Sequence, residues 1–256
     1  MKNTLDKKEA LLDRLDKIAK SLENNEGTLA LLALGSCGLH NERLDQYSDL
    51  DFFVIVQDGY KNRYIDNLFW LENINNISFS YKNTVDGHRV LFQDEIFCEF
   101  AIFEKRELAK IPYDHGRLVW SRDEFDKNLC VPIRLPNDND YEESWLINEI
   151  MTCLYLGLSR EKRGEVLSAF FLIQQRAINR IIDLWNSAGE ENPVFTDKFN
   201  NTRRFEQIHP TKVKLIRKFT QGYDHNQASA GEILTYLDQT YPINQHFKDV
   251  IMQLLT

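Results

Sequence analysis

Gly35-Ser36, twelve intervening residues, then Asp49-Leu50-Asp51-Phe52-Phe53-Val54-Ile55-Val56 is the stretch on which the reading of this chain turns. Side chains alternate faces along a strand, so Asp49 and Asp51 fall on one side and Leu50 and Phe52 on the other. Two carboxylates on one face repel each other unless a cation sits between them. Magnesium suits that place, because it takes oxygen ligands and keeps waters and substrate phosphates in its shell. Just upstream, Leu29 to Leu34 is a short apolar run of the length of a buried strand. Gly35-Ser36 follows it and precedes a loop containing Gly38, a tight turn able to present backbone N–H groups and the Ser36 hydroxyl to phosphate oxygens.

Working outward, Phe97-Cys98-Glu99-Phe100-Ala101-Ile102-Phe103 is an apolar strand with one carboxylate near its middle. Burying that charge is costly without a cation or a donor. If its strand lies beside the one carrying Asp49 and Asp51, three carboxylates converge. Such a set supports metal-assisted phosphoryl or nucleotidyl transfer, with Glu99 as metal ligand, as general base toward an acceptor hydroxyl, or as both. Ile77 to Tyr81, His88 to Phe92 and Arg117 to Trp120 are further strand candidates, and the short Gln93-Asp94-Glu95 makes the strands on either side of it a hairpin. Helical spacing marks residues 4–23 and, between Gly59 and Asn76, a crossover helix.

Two prolines and a run of Asn and Asp between Cys130 and Asp140 form the strongest linker signal. A boundary there divides the chain into 1–130 and 131–256. Beyond it strand patterns stop. Leu146 to Leu158 marks one helix and Val166 to Trp185 a second, with shorter helical patterns at Thr211 to Phe219, Ala228 to Leu237 and Pro242 to Leu255. The second half therefore reads as a helical bundle.

Gly-Ser, a spacer of a dozen residues, Asp-x-Asp in an apolar strand and a later strand acid resemble the polymerase-beta-like nucleotidyltransferase superfamily. The pattern falls on Gly35, Ser36, Asp49, Asp51 and Glu99. Within it, Asp45-Gln46-Tyr47-Ser48-Asp49, the length and the helical second half look most like antibiotic nucleotidyltransferases of the lincosamide and aminoglycoside type. Lys162-Arg163-Gly164-Glu165 also looks like a short motif of their helical domain. The resemblance implies an α+β fold, with a mixed sheet and flanking helices followed by a C-terminal helical bundle. It implies magnesium-dependent transfer of a nucleoside monophosphate from ATP or another triphosphate to a hydroxyl of a small molecule, releasing pyrophosphate. Metal would be held by Asp49, Asp51 and Glu99, and the nucleotide by Gly35 and Ser36 with Lys162 and Arg163. This chain departs from the lincosamide pattern in a longer loop, Cys37 to Leu44, and in Asp51 where some relatives carry Glu.

Plainer readings stand beside these, and for Glu99 the plainer one is a structural ion pair. Lys162 and Arg163 lie in a charged break where a solvated turn also accounts for them. Glu165 either contacts the acceptor or starts a helix. Tyr141 and Trp145 are acceptor candidates that ordinary packing would equally explain. His40, after Gly35-Ser36, is the one histidine placed to approach a triphosphate. Arg204 and His209 share the spacing of an RNA-cleaving motif of another helical family, but Pro210 follows and the chain is acidic.

Lys and Arg number 31 against 39 Asp and Glu, a formal charge of -8, which disfavours a surface built to neutralise a phosphate backbone. The four cysteines, Cys37, Cys98, Cys130 and Cys153, show neither disulfide nor zinc spacing. No apolar run reaches the roughly 20 residues a membrane span needs. The expectation is a reduced, cytoplasmic protein whose partners are a nucleoside triphosphate and a small acceptor, not nucleic acid or membrane, with a homodimer left open. Two rivals remain: a non-catalytic nucleotide sensor or toxin-neutralising partner of the same fold, and nucleotidylation of a protein or metabolite.

Overall fold

The computed structural model describes residues 6–39, 41–135, 141–189, 191–197 and 199–256. His40 and most of the Asn/Asp-rich linker segment, 136–140, lie outside the described residues. Two compact units divide the chain, Met1–Asp138 and Asn139–Thr256.

The first unit opens with α1 (Lys7–Glu23), whose Leu11, Leu15, Ile18 and Leu22 recur every three or four residues and are fully buried. Next come β1 (Thr28–Leu34), β2 (Leu50–Val56), α2 (Lys61–Ile65), α3 (Phe69–Glu72), β3 (Ile77–Lys82), β4 (Gly87–Phe92), β5 (Phe97–Glu104) and β6 (Arg117–Ser121). The strands form one mixed sheet in the order β3-β4-β5-β2-β1-β6. β2 and β5 are parallel and the other neighbours antiparallel. All seven residues of β1 are buried, as its unbroken apolar run requires of a strand covered on both faces. The edge strand β3 is almost wholly exposed.

One face of the sheet, carrying Phe52, Val90, Cys98 and Phe100, packs under α1, Tyr64 and Trp70. Burying each such large side chain stabilises the unit by about 1.5–3 kcal/mol. The opposite face is covered in part, where Phe103, Leu108, Tyr113 and Phe125 pack on Leu32 and Ile55. Lys61 on α2 ties the unit together: its ammonium lies 2.6 Å from Asp86 and 2.8 Å from Glu107, and is only 14% exposed.

In place of one crossover helix between Gly59 and Asn76 there are two short ones. The Trp70 indole N–H donates to the carbonyl of Tyr64 (3.1 Å), and a His88 ring nitrogen lies 2.7 Å from that of Ile65. Side chains thus take the carbonyls that a longer α2 would have used.

The second unit is helical: α4 (Glu143–Lys162), α5 (Val166–Phe170), α6 (Ala177–Ala188), α7 (Phe205–Ile208), α8 (Val213–Phe219), α9 (Asn226–Thr240) and α10 (Gln245–Leu255). Its core joins Ile150 and Leu154 to Ile173, Ile181, Ile233, Leu237 and Ile251. The helix expected over Val166 to Trp185 is continuous, but its middle, Phe171–Arg176, is a π-helix. Buried Gln174 there donates to the carbonyl of Gly222 (2.7 Å) and the side chain of Asn226 (2.8 Å), fastening the segment to the start of α9. No helix among the described residues is long and apolar enough to cross a membrane.

Candidate functional site

β1 ends at Leu34 and the chain turns through a single 3-10 turn, Gly35–Cys37. Gly35 has φ +56, and a Cβ there would stand 2.5 Å from Asp51 Oδ2. Glycine at this position therefore does two things: it permits left-handed backbone and it leaves room for the carboxylate. Arg43 secures the turn by donating from Nη2 to the Gly35 carbonyl at 2.9 Å, and Arg117 donates from Nε to the Cys37 carbonyl at 3.3 Å.

Asp51 is the second residue of β2 and Asp49 immediately precedes that strand. Leu50 and Phe52, between and beyond them, are buried in the core face, so both aspartates belong to the other face. Parallel pairing sets Asp51 beside Glu99 of β5. Residues paired in register point to the same side of a sheet, so these two carboxylates are neighbours across the strands.

Glu99 has partners that the sequence reading did not identify. Arg89, opposite it on β4, donates from Nε to Oε2 at 3.0 Å and from Nη2 to Oε1 at 3.3 Å, while Asn83 Nδ2 donates to Oε1 at 2.8 Å. Arg89 Nη1 in turn donates to the Tyr81 hydroxyl at 3.1 Å. Tyr81, Arg89, Glu99 and Asp51 thus form one row across four adjacent strands. The signal available in the sequence was an arginine inside the strand pattern His88 to Phe92.

Among the described residues no group of three His, Cys, Asp or Glu side chains stands at metal-holding distances. Glu99 is engaged by a guanidinium. The Asp49 and Asp51 carboxylates fit a magnesium ion by their chemistry, as two hard oxygen ligands, and the missing Gly35 side chain leaves room for the Asp51 carboxylate itself.

Ser36 is only 5% exposed, and the neighbouring Cys37 thiol donates to the Asp49 carbonyl at 3.6 Å. Burial pushes the Cys37 thiol up to about 11, and the charges of Asp51 and Asp49 push in the same direction. Cys98, under the sheet, is raised further, mainly by burial. Both thiols are therefore protonated at neutral pH and act as packing groups.

The other candidates lie in the helical unit. Lys162 ends α4, Arg163 caps it, and Gly164 at φ +77 reverses the chain into Glu165 at the start of α5. Arg163 Nε and Glu165 Oε1 are 3.1 Å apart in an exposed ion pair. Tyr141 and Trp145 stack with ring centroids 4.5 Å apart and planes 8° from parallel. His209 is buried, with Nε2 2.7 Å from Asn186 Oδ1, and does not present its ring to a polynucleotide.

Several solved structures are similar to this chain along most of its length. An aminoglycoside 6-adenyltransferase from Bacillus subtilis is 13% identical, with 97% of this chain and 91% of that one covered, at a TM-score of 0.34. A spectinomycin adenyltransferase from Enterococcus faecialis, solved with ATP and spectinomycin, is 15% identical with 96% and 97% covered, at 0.29. A STING-associated CdnE c-di-GMP synthase from Capnocytophaga granulosa is 11% identical with 97% and 78% covered, at 0.32. No family profile and no curated protein sequence matches the chain. With likenesses this low, what the site does is argued from its own residues.

Proposed function

We propose that the protein is a nucleotidyltransferase that moves a nucleoside monophosphate from a nucleoside triphosphate, ATP first among them, to a hydroxyl of a small molecule. The observation that carries this reading is the β2–β5 register, which pairs Asp51 with Glu99 on the face where Gly35 leaves room for the Asp51 carboxylate. Asp49 and Asp51 would hold magnesium, which when bound offsets the charge of the phosphates. The acceptor oxygen bonds to the α-phosphorus, the bond from that phosphorus to the pyrophosphate oxygen breaks, and Glu99 takes the hydroxyl proton. Arg89 and Asn83 hold the Glu99 carboxylate in place for that transfer. The protein's contribution is positioning and electrostatic stabilisation.

Lincosamide and aminoglycoside drugs are the acceptors to test first. The assay is incubation with magnesium, α-labelled ATP and pooled drugs of both kinds, reading labelled product and pyrophosphate. Asp51→Asn should fold normally and lose about three decades of rate, on the order of 4 kcal/mol of transition-state stabilisation. Wild-type turnover by that variant overturns the assignment. Tight nucleotide binding without pyrophosphate release under any acceptor favours a nucleotide sensor instead.

A further inference from the structure

The helical unit contains a half-open cavity of about 550 Å³, within the range of small-molecule sites. Its wall is the Tyr141–Trp145 stack, a flat aromatic surface across the first turn of α4. Trp145 remains 42% exposed and Phe171, on the same cavity, 47% exposed. Large rings left open together on one concavity are characteristic of a surface that something covers.

The charges lining the cavity decide what that is. Arg176, Arg180 and Glu149 face it. Arg180 is committed: its guanidinium lies 5.0 Å from the Tyr141 ring centroid, and Nη2 is 3.2 Å from Asp183. Arg176 is not: it is 64% exposed and its approach to Glu149 is 3.7 Å, longer than a hydrogen bond. It therefore has donors to offer an incoming anion, in the planar geometry that suits a carboxylate.

The backbone that carries Phe171 and Arg176 is the π-helix, a rare conformation that recurs at functional sites. It lies tightly against α4 because of Gly157, where a Cβ would stand 2.5 Å from Ile173 Cγ1. That approach keeps the arginine beside the aromatic wall.

We propose that this cavity binds a flat aromatic molecule bearing a carboxylate or similar anion at its edge, with the ring against Tyr141 and Trp145 and the anion on Arg176. The claim concerns binding alone and stands or falls without the transfer reading, because its test uses neither nucleotide nor metal.

Calorimetric titration of the full chain with 2-naphthoate, 2-naphthylmethylammonium and cyclohexanecarboxylate separates the contributions of plane and charge. The naphthoate should bind at least about tenfold more tightly than either of the others, and Trp145→Ala and Arg176→Gln should each weaken it by about tenfold or more. Arg176 is exposed, so its variant tests the site even if Trp145→Ala does not fold. Absence of naphthoate binding, equal affinity for the matched amine, or wild-type affinity in Arg176→Gln overturns the proposal.

Discussion

Replacing Gly35 by alanine should damage the site in two separable ways. The backbone there is left-handed, φ +56, a conformation that costs a side-chain-bearing residue about 1–2 kcal/mol. The added Cβ would also stand 2.5 Å from Asp51 Oδ2, whereas ordinary contact begins at 3.4 Å, so the carboxylate must retreat by about 0.9 Å. A displacement of about 1 Å at a reacting centre can cost on the order of 100-fold in rate. Gly35→Ala is therefore expected to unfold at lower urea, by about 1–2 kcal/mol, and to release pyrophosphate about 100-fold more slowly. Gly35→Asn tells the two effects apart, since asparagine tolerates left-handed backbone but still brings a Cβ. It should recover much of the stability and little of the activity. Alanine and asparagine variants as stable and as active as the parent would show that the approach of Gly35 to Asp51 does not build the site.

Arg89→Gln removes the cation from Glu99 and leaves Asn83 as its donor. The pair is 41% and 38% exposed, so unfolding in urea should shift by less than about 1 kcal/mol, while turnover falls about tenfold or more and Arg89→Lys restores part of it. An unchanged kcat in Arg89→Gln would remove Arg89 as a positioning residue. Burial pushes the thiols of Cys37, Cys130 and Cys153 up to about 11 from an ordinary 9.0, so the folded chain should react slowly with Ellman's reagent at pH 8 and unfolded chain quickly. Because the unfolded chain releases those protons from about pH 9 while the folded one keeps them to about 11, the stability they contribute is complete below 9 and declines as pH rises through 11. Urea midpoints that stay flat across that interval would contradict the assignment.

How much of the site could be read from sequence depended on the distance over which each contact is set. The faces of Asp49 and Asp51 follow from the two-residue period of β2 alone. The pairing of Arg89 with Glu99 was also within reach: a hairpin centred on Asp94 sets residues equidistant from it opposite one another, and each of these lies five positions away. What the sequence left unnamed was the partner of an ion pair at Glu99, and that partner is on the adjoining strand. The pairing of Asp51 with Glu99 is of another kind. It joins parallel strands through a crossover, and no local turn fixes its register, so it depends on packing α1, α2 and α3 against one face of the sheet. The π-helix at Phe171–Arg176 was hidden for a related reason: its apolar residues keep near-helical spacing, and it is bound in place by Gln174 reaching Gly222 and Asn226 about 50 positions later.

The row Tyr81, Arg89, Glu99 and Asp51 has a consequence for the order of events at the site. A carboxylate held by one guanidinium and one amide already has its charge offset, which weakens its hold on a second cation and on a proton alike. Of the roles the sequence left open for Glu99, metal ligand, general base or both, the proposed function gives it the base. The division of labour is then positional: the aspartates flanking Leu50 are assigned to the metal and phosphates, and the acid one strand over to the acceptor. A variant pair resolves it. Glu99→Gln should leave magnesium-dependent nucleotide binding within about threefold of the parent and abolish transfer, whereas Asp51→Asn should weaken both. Loss of magnesium-dependent nucleotide binding in Glu99→Gln would return that residue to the metal.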